Sequence, residues 1–332
     1  MSKKQKVNDS QKKNLKKKNK SVFSQEDALD IQTKEIELPA EIKKQKITTK
    51  NVCQLLSQVA TSKKNIIVPK KISKALLKLG NKKHKKDNNA TLKNKEGNII
   101  DVQNVTKYYI NGNVINHILD NISLSIKKGE IILIFGVSGG GKSTLLNLIS
   151  GLDRPNSGNV IVCDKNLPYL SNAKLTLFRR HHVSFIFQSY NLLENLSAYD
   201  NAETGSYLQR DHNKRVDIVE LFEQFELKEE MNKFPSQMSG GQQQRVSIIR
   251  ALAKNADIIF ADEPTGALDT STSKIVLKTL YEINQARNTT VIMVSHDPKI
   301  KPMANRIITI AQGKISNIQV NEKPIHPDEF YK

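Results

Sequence analysis

The 332-residue sequence has no tryptophan, only two cysteines and no long apolar run. Hydrophobic residues make up 38% of it. That is low for a chain folded along its whole length, so part of it is expected to stay unfolded. No apolar stretch approaches the roughly 20 residues that cross a bilayer as a helix. The N-terminus lacks the apolar segment of a secretory signal. If the protein acts at a membrane, the membrane part is expected on another chain. Cys53 and Cys163 lie far apart without the paired spacing of a metal-ligand motif. They read as ordinary thiols in a reducing compartment. Arginine is absent from residues 1–97, which hold 26 lysines against 9 acidic residues and so +17 of the net +19. The other 235 residues hold 26 basic and 24 acidic ones. The basic character therefore belongs to an N-terminal extension, and the rest of the chain is close to neutral.

The opening MSKKQKVNDSQKKNLKKKNK has almost nothing to bury and reads as disordered. Two weak helical patterns follow between 48 and 80. In PKKISKALLKLG, Ile72, Ala75, Leu76 and Leu79 recur at i, i+3, i+4, i+7. Lys70, Lys71, Lys74 and Lys78 fall mainly off that stripe, and Pro69 and Gly80 bracket it. Two readings are open. One is a basic amphipathic helix for an anionic membrane surface or RNA. The other is a short helix inside a linker. NKKHKKDNNATLKNKEGN reads as a polar linker. The expected division is a lysine-rich, mostly disordered extension with possible short helices over 1–97, one domain over 98–320, and a short tail over 321–332.

From residue 99 the texture changes. DVQNVTKYY, NISLSI and EIILIF are short β-rich runs. NISLSI alternates and should be half-buried. IILIF is continuously apolar, as for a strand covered on both faces of a mostly parallel sheet. KSTLLNLISGL reads as a helix, VSFIFQ as a strand, and 198–234 as a mixed polar segment with helices. SGGQQQRVSIIRALAKN and SKIVLKTLYEINQ read as helices. DIIFADE, TTVIMVSHD and RIITIAQGKI read as strands. Strands alternating with helices predict an α/β fold, with the early β runs and the later helical insert as additions around it.

The strongest local signal is GVSGGGKST, residues Gly136, Val137, Ser138, Gly139, Gly140, Gly141, Lys142, Ser143 and Thr144. It fits G-x-x-x-x-G-K-[ST] directly after a buried strand and before a helix. Glycines let backbone N–H groups wrap phosphate oxygens. Lys142 brings a point charge to the β and γ phosphates, Ser143 a hydroxyl to Mg²⁺, and Thr144 a further phosphate contact. In DIIFADEPTGALD, an apolar strand ends in Asp262 and Glu263. A carboxylate at such a tip, beside a phosphate loop, can hold Mg²⁺ through water, and its neighbour can act as general base. His296 ends another apolar strand, and Gln188 follows VSFIF. In an open α/β sheet, ligands sit beyond the carboxyl ends of strands, so both would reach the same phosphates. In MSGGQ, Gly240 and Gly241 open a helix whose N-terminus invites an anion.

Taken in order, the phosphate loop, Gln188, MSGGQ, ADE, GALD and SHD resemble the nucleotide-binding subunit of ABC transporters. The resemblance spans residues 98 to about 318. FQSYNLLENLSAYDN, SGGQQQR and ADEPTGALD look most like the branch serving lipoprotein release, macrolide export and the cell-division ABC complex. The resemblance implies a P-loop NTPase fold, with a RecA-like core, an antiparallel β subdomain and a helical signature subdomain. It implies ATP and Mg²⁺ as ligands. Tyr109 would stack on adenine, with Tyr108 as the alternative register. Gly136 to Thr144 would hold the phosphates. Ser143, Gln188 and Asp262 would serve the metal, and Gln188 would also couple it to the membrane partner. Glu263 would be the base, and His296 and Lys142 would contact the γ-phosphate. Asp269 would lie at a subunit interface. Ser239, Gly240 and Gly241 would complete the ATP site of an opposite subunit, so the family pattern implies a homodimer or a heterodimer with a related chain. It also implies a separate integral membrane permease, and a peripheral position on the cytoplasmic face. Val137, Gly140 and Met238 depart from the branch's usual Pro, Ser and Leu, and the insert between Gln188 and the family signature, MSGGQ here, looks short. Two rivals remain: a regulatory ATPase gating a membrane or cell-wall process, and a soluble ATPase acting on nucleic acid or the ribosome. Against the second stand the single ATPase domain and the lack of a long coiled-coil insert between phosphate loop and signature.

Overall fold

In a computed structural model of the chain, the described residues are 34–35, 46–49, 51–59, 65–209, 211, 215–266 and 268–330. The lysine run at 1–20, read as disordered, lies outside them. The short strand β1 (Asn65–Ile67), the long hairpin β2 (Asn98–Asn111) and β3 (Val114–Lys127), then β5 (Ser157–Val162) and β6 (Lys165–Asn166) are antiparallel neighbours in the order β1-β3-β2-β5-β6. A second sheet combines β4 (Ile131–Phe135), β7 (Val183–Ile186), β8 (Ile258–Asp262), β9 (Thr290–Ser295), β10 (Arg306–Ala311) and β11 (Lys314–Val320). Its order is β11-β10-β4-β9-β8-β7, all parallel except β11 on the edge.

The period-2 alternation of strands splits the apolar runs of this parallel sheet between two cores. Ile131 and Leu133 of β4, Ile259 and Ala261 of β8, and Val291 and Met293 of β9 face one core. That core is completed by helices α5 (Ala198–Ser206), α6 (Ile218–Gln224), α7 (Gly240–Ala253) and α8 (Thr270–Arg287). Ile132, Ile134, Ile258, Phe260, Ile292 and Val294 face the other core, shared with the antiparallel sheet, α3 (Lys142–Ile149) and α4 (Asn172–His182). Burial on both faces is why IILIF carries no polar residue. β5 and α4 carry no clear periodic signal in the sequence. RIITIAQGKI, expected as one strand, is divided: Gln312 (φ 50°) and Gly313 (φ 76°) turn the chain between β10 and β11.

The expected division at residue 98 does not coincide with a gap in packing. Helices α1 (Val52–Val59) and α2 (Lys70–Asn81) build a third core on the outer part of the antiparallel sheet. Val52, Leu55, Leu56, Ile66, Val68, Ile72 and Leu76 meet Tyr108 and Ile115 there. Ala75 and Leu79 pack against its margin, while Lys70, Lys71, Lys74 and Lys78 are exposed. The apolar stripe of α2 is thus covered by the protein itself and is not free to enter a bilayer. The stretch read as a polar linker is fastened as well. Asp101, buried in β2, accepts hydrogen bonds from Lys95 N (2.9 Å), Asn94 Nδ2 (3.1 Å), Asn98 Nδ2 (2.8 Å) and Ser125 Oγ (2.7 Å). Burial opposes its charge, but these donors together outweigh it and hold the carboxyl below its ordinary range. In the expected C-terminal tail, helix α9 (Pro327–Phe330) docks on α8, with Asp328 carboxylate oxygens 3.0 Å from Lys278 and 3.3 Å from Lys274.

Candidate active site

The phosphate-loop sequence connects β4 to α3. Gly136 has φ 145°, and a Cβ there would lie 2.3 Å from the Ile310 carbonyl oxygen of β10. Gly141, at the mouth of α3, has φ 105°, and a Cβ there would lie 2.7 Å from Leu119 Cδ2. Only glycine fits both places. Gly313 N donates to Gly140 O (3.2 Å), and Gly140 N to Val137 O (3.2 Å), so the loop is held in shape from outside and from within. Lys142 is buried, and its Nζ donates to Val137 O at 3.0 Å across the loop. The first N–H groups of α3 have no partner within their helix, and the positive end of its dipole lies at the loop.

The loop borders a cavity of about 630 Å³, also lined by Gln188, Asp262, Glu263, Val294 and His296 and by Ile118 of β3. The parallel register brings these residues together, because β4, β7, β8 and β9 all end on this side. Ser143 Oγ donates to Asp262 Oδ1 at 3.1 Å. Burial is the main cause that lifts the Asp262 carboxyl above its ordinary range; Ser143 and Lys142 pull it down, and Glu263 pushes it up. Glu263 takes a left-handed backbone (φ 50°) just past β8, with its N–H donating to Val294 O at 3.0 Å. Its Oε1 lies 3.0 Å from His296 Nδ1. A non-glycine residue held at positive φ stores strain, and such strain gathers at functional sites.

The remaining candidates lie outside this cavity's lining. Tyr109 is 41% exposed, and its hydroxyl donates to Asp153 Oδ2 at 3.1 Å. Burial of that hydroxyl end, then the Asp153 charge, push it up to about 12. Lys107 Nζ stands 4.9 Å from the Tyr109 ring centroid. Tyr108 is buried and stacks on His117, centroids 4.5 Å apart, so of the two tyrosines only Tyr109 offers a face. Ser239 caps α7: its Oγ accepts from Gln242 N (3.3 Å), and Gln242 Oε1 accepts from Ser239 N (2.8 Å). Gly240 and Gly241 form the first turn behind that cap. Asp269 caps α8, accepting from Thr272 N (2.9 Å), Thr272 Oγ1 (2.7 Å) and Ser271 Oγ (2.5 Å). Those donors hold its carboxyl well below the usual range.

Three contacts of this region were not foreseen from the sequence. Arg250 of α7 donates to Tyr190 O (2.8 Å) and Asn191 O (2.5 Å), just past Gln188. Gln244 of α7 donates to Pro264 O (3.3 Å), just past Glu263. A Cβ on Gly240 would sit 3.1 Å from the Tyr190 hydroxyl. The signature helix is therefore bonded to the segments that follow both Gln188 and Glu263. QQQRVSIIR at the opening of a helix carries the donors, but their partners are backbone carbonyls, which leave no sequence signal.

The family model for ABC transporters matches residues 119–266, which hold the loop, Gln188, the signature and the Asp-Glu pair. A Mycoplasma pneumoniae protein, provisionally named ABC transporter ATP-binding protein MG468.1 homolog, is 43% identical over 257 residues, 77% of this chain and 89% of that one.

The chain belongs to the ABC transporter ATP-binding protein family.

The MG065 homolog of the same organism, provisionally given the same family name, is 48% identical over 229 residues, 69% of this chain and 49% of that protein. The macrolide export ATP-binding/permease protein MacB of Haemophilus ducreyi is 43% identical over 227 residues, 67% of this chain and 32% of that protein. This chain thus spans about half of the MG065 homolog's length and about a third of MacB's. Among solved structures, the dimeric ATP-binding cassette MJ0796, in a post-hydrolysis state with ADP and Pi, matches with a TM-score of 0.63 and 38% identity. The match covers 67% of this chain and 98% of that one. The chain is an ABC ATPase cassette with the P-loop NTPase fold. Among the described residues, no helix is long and apolar enough to cross a membrane.

Proposed function

We propose that the chain couples ATP hydrolysis in the 630 Å³ cavity to the movement of a separate membrane permease of the macrolide-export kind. One observation carries this reading most: the Glu263–His296 pair and Lys142 line one cavity at the ends of parallel strands. Glu263 accepts a proton from the attacking water as that water's oxygen bonds to the γ-phosphorus and the bond to ADP breaks. His296 keeps Glu263 in place and contacts the γ-phosphate. Lys142 and the loop N–H groups stabilise the charge on the phosphate oxygens. Tyr109 offers its face to adenine. Ser143 and Asp262, joined at 3.1 Å, form with the Gln188 amide a hard-oxygen donor set, which fits Mg²⁺. When bound, Mg²⁺ would supply positive charge to the phosphate oxygens.

Ser239, Gly240 and Gly241 stand outside the lining of their own chain's cavity. In this reading they face the phosphate held by a second cassette, and Asp269 lies at the same interface. Two sites then form between two chains, identical or related, on the cytoplasmic face of the membrane. The segment after Gln188, bonded to α7 through Arg250, passes closure to the permease. Replacing Gly241 with Asp places a carboxylate where the partner's γ-phosphate would lie. That variant is expected to lose ATP turnover while each monomer still binds nucleotide. Undiminished turnover would overturn the shared-site reading. Co-purification of an integral membrane protein with the tagged chain tests the coupling, and repeated isolation without one contradicts it.

A further inference from the structure

At the entry end of the parallel strands, away from the ATP cavity, three donors from distant parts of the chain converge. Cys163 lies in the turn between β5 and β6. His182 is the last residue of α4, and Asp257 stands directly before β8. Their sulfur, nitrogen and oxygen atoms lie within 4.8 Å of one another, and His182 Nδ1 is 2.7 Å from Asp257 Oδ2. We propose that Cys163, His182 and Asp257 bind a zinc ion.

The donor set selects the metal. Calcium and magnesium take oxygen ligands, whereas zinc takes thiolate, imidazole and carboxylate together, four to a tetrahedron. Three protein ligands leave one position for water. A thiolate and a carboxylate beside a neutral imidazole balance a dication.

Each donor is held before any metal arrives. Cys163 and Asp164 occupy the two central positions of a tight hairpin, at φ 45° and 60°. Such turns favour Asn, Asp or Gly, which tolerate the left-handed backbone, so a cysteine here carries a conformational cost that its neighbour does not. The turn is pinned by Cys163 N donating to Ile99 O (3.0 Å), and by Asn94 and Asp164 exchanging bonds of 3.1 and 2.7 Å. The His182 ring packs against Phe178, centroids 5.4 Å apart. Asp257 is fixed through its backbone carbonyl, which accepts from Thr290 N at 3.1 Å. Binding breaks the Cys163 S–H bond, forms S–Zn and releases the proton to water. Lys128, Arg215 and Arg287 line a neighbouring cavity of about 410 Å³ together with Asp257. Their charge weakens a dication's hold. The ion would tie the antiparallel sheet to the entry end of the parallel one.

Cobalt(II) replaces zinc and reports a thiolate ligand by a sulfur-to-metal absorption band. The full-length chain, stripped with chelator, is titrated with Co²⁺, and then with Zn²⁺ to displace it. The expected result is one equivalent with the thiolate band, retained in Cys53→Ser and lost in Cys163→Ser. His182→Ala should weaken affinity about 10- to 100-fold or more. ATP binding by Cys163→Ser shows that this variant is folded. A chain that gives no thiolate band, or a band that survives Cys163→Ser, overturns the proposal.

Discussion

His296 Nδ1 sits 3.0 Å from Glu263 Oε1 and so joins the tips of the neighbouring parallel strands β8 and β9. Glu263 is fixed at both ends, by this contact and by its own N–H on Val294 O. A base held in this way loses little freedom when it takes its proton. Removing the imidazole partner of the carboxylate, as in His296→Ala, should lower kcat roughly 10²-fold, as for loss of one positioned polar group, with ATP binding kept. Single-turnover phosphate release and equilibrium nucleotide binding separate the two. Equal losses in both would mean that His296 serves binding alone.

Lys142→Ala should act on binding itself. A charged hydrogen bond contributes about 1.5–3 kcal/mol, so ATP affinity should fall at least about tenfold. Nucleotide titration by calorimetry checks this. Affinity within twofold of the parent would detach Lys142 from the phosphates.

The N-terminal helices make a separate prediction. Leu76 is fully buried between α2 and the antiparallel sheet. Leu76→Ala should cost about 2–5 kcal/mol and loosen residues 52–81 first. Hydrogen exchange should then quicken in that segment. Unchanged exchange there would mean that the contact adds no stability.

Cys53 gives a pH signature. Burial pushes its thiol up from 9.0 to about 11, against a smaller lowering by Ser157. A raised folded-state value stabilises the fold fully below pH 9, and that contribution is lost as the pH rises from 9 towards 11. In a Cys163→Ser background, alkylation of Cys53 at pH 8 should be slow in the folded chain and fast after unfolding. Equal rates would place the thiol in solvent.

Much of the candidate site is readable because its signals are local. The phosphate loop is nine consecutive residues, and IILIF declares a doubly covered strand through its lack of polar positions. What could not be read depends on contacts between distant segments. The apolar face of α2 is four residues among lysines, and its cover comes from α1 and from Tyr108 and Ile115, roughly 30 to 40 positions onward. The choice between Tyr108 and Tyr109 is made by burial against that same module. SGNVIV is brief, and NAKLTLFRRHH ends in four basic or titratable side chains, so neither period stood out. In the sequence Cys163 reads as an ordinary thiol, and His182 and Asp257 come beside it only in the fold.

The most direct measurement is ATP turnover by Glu263→Gln beside the parent chain, with nucleotide binding and association state followed in the same samples. The substitution keeps the shape of the side chain and removes its basicity. The expected result is loss of phosphate release, with ATP still bound and a dimer accumulating in its presence. Phosphate release at the parental rate would contradict the assignment of Glu263 as the base and, with it, the proposed chemistry of the cavity.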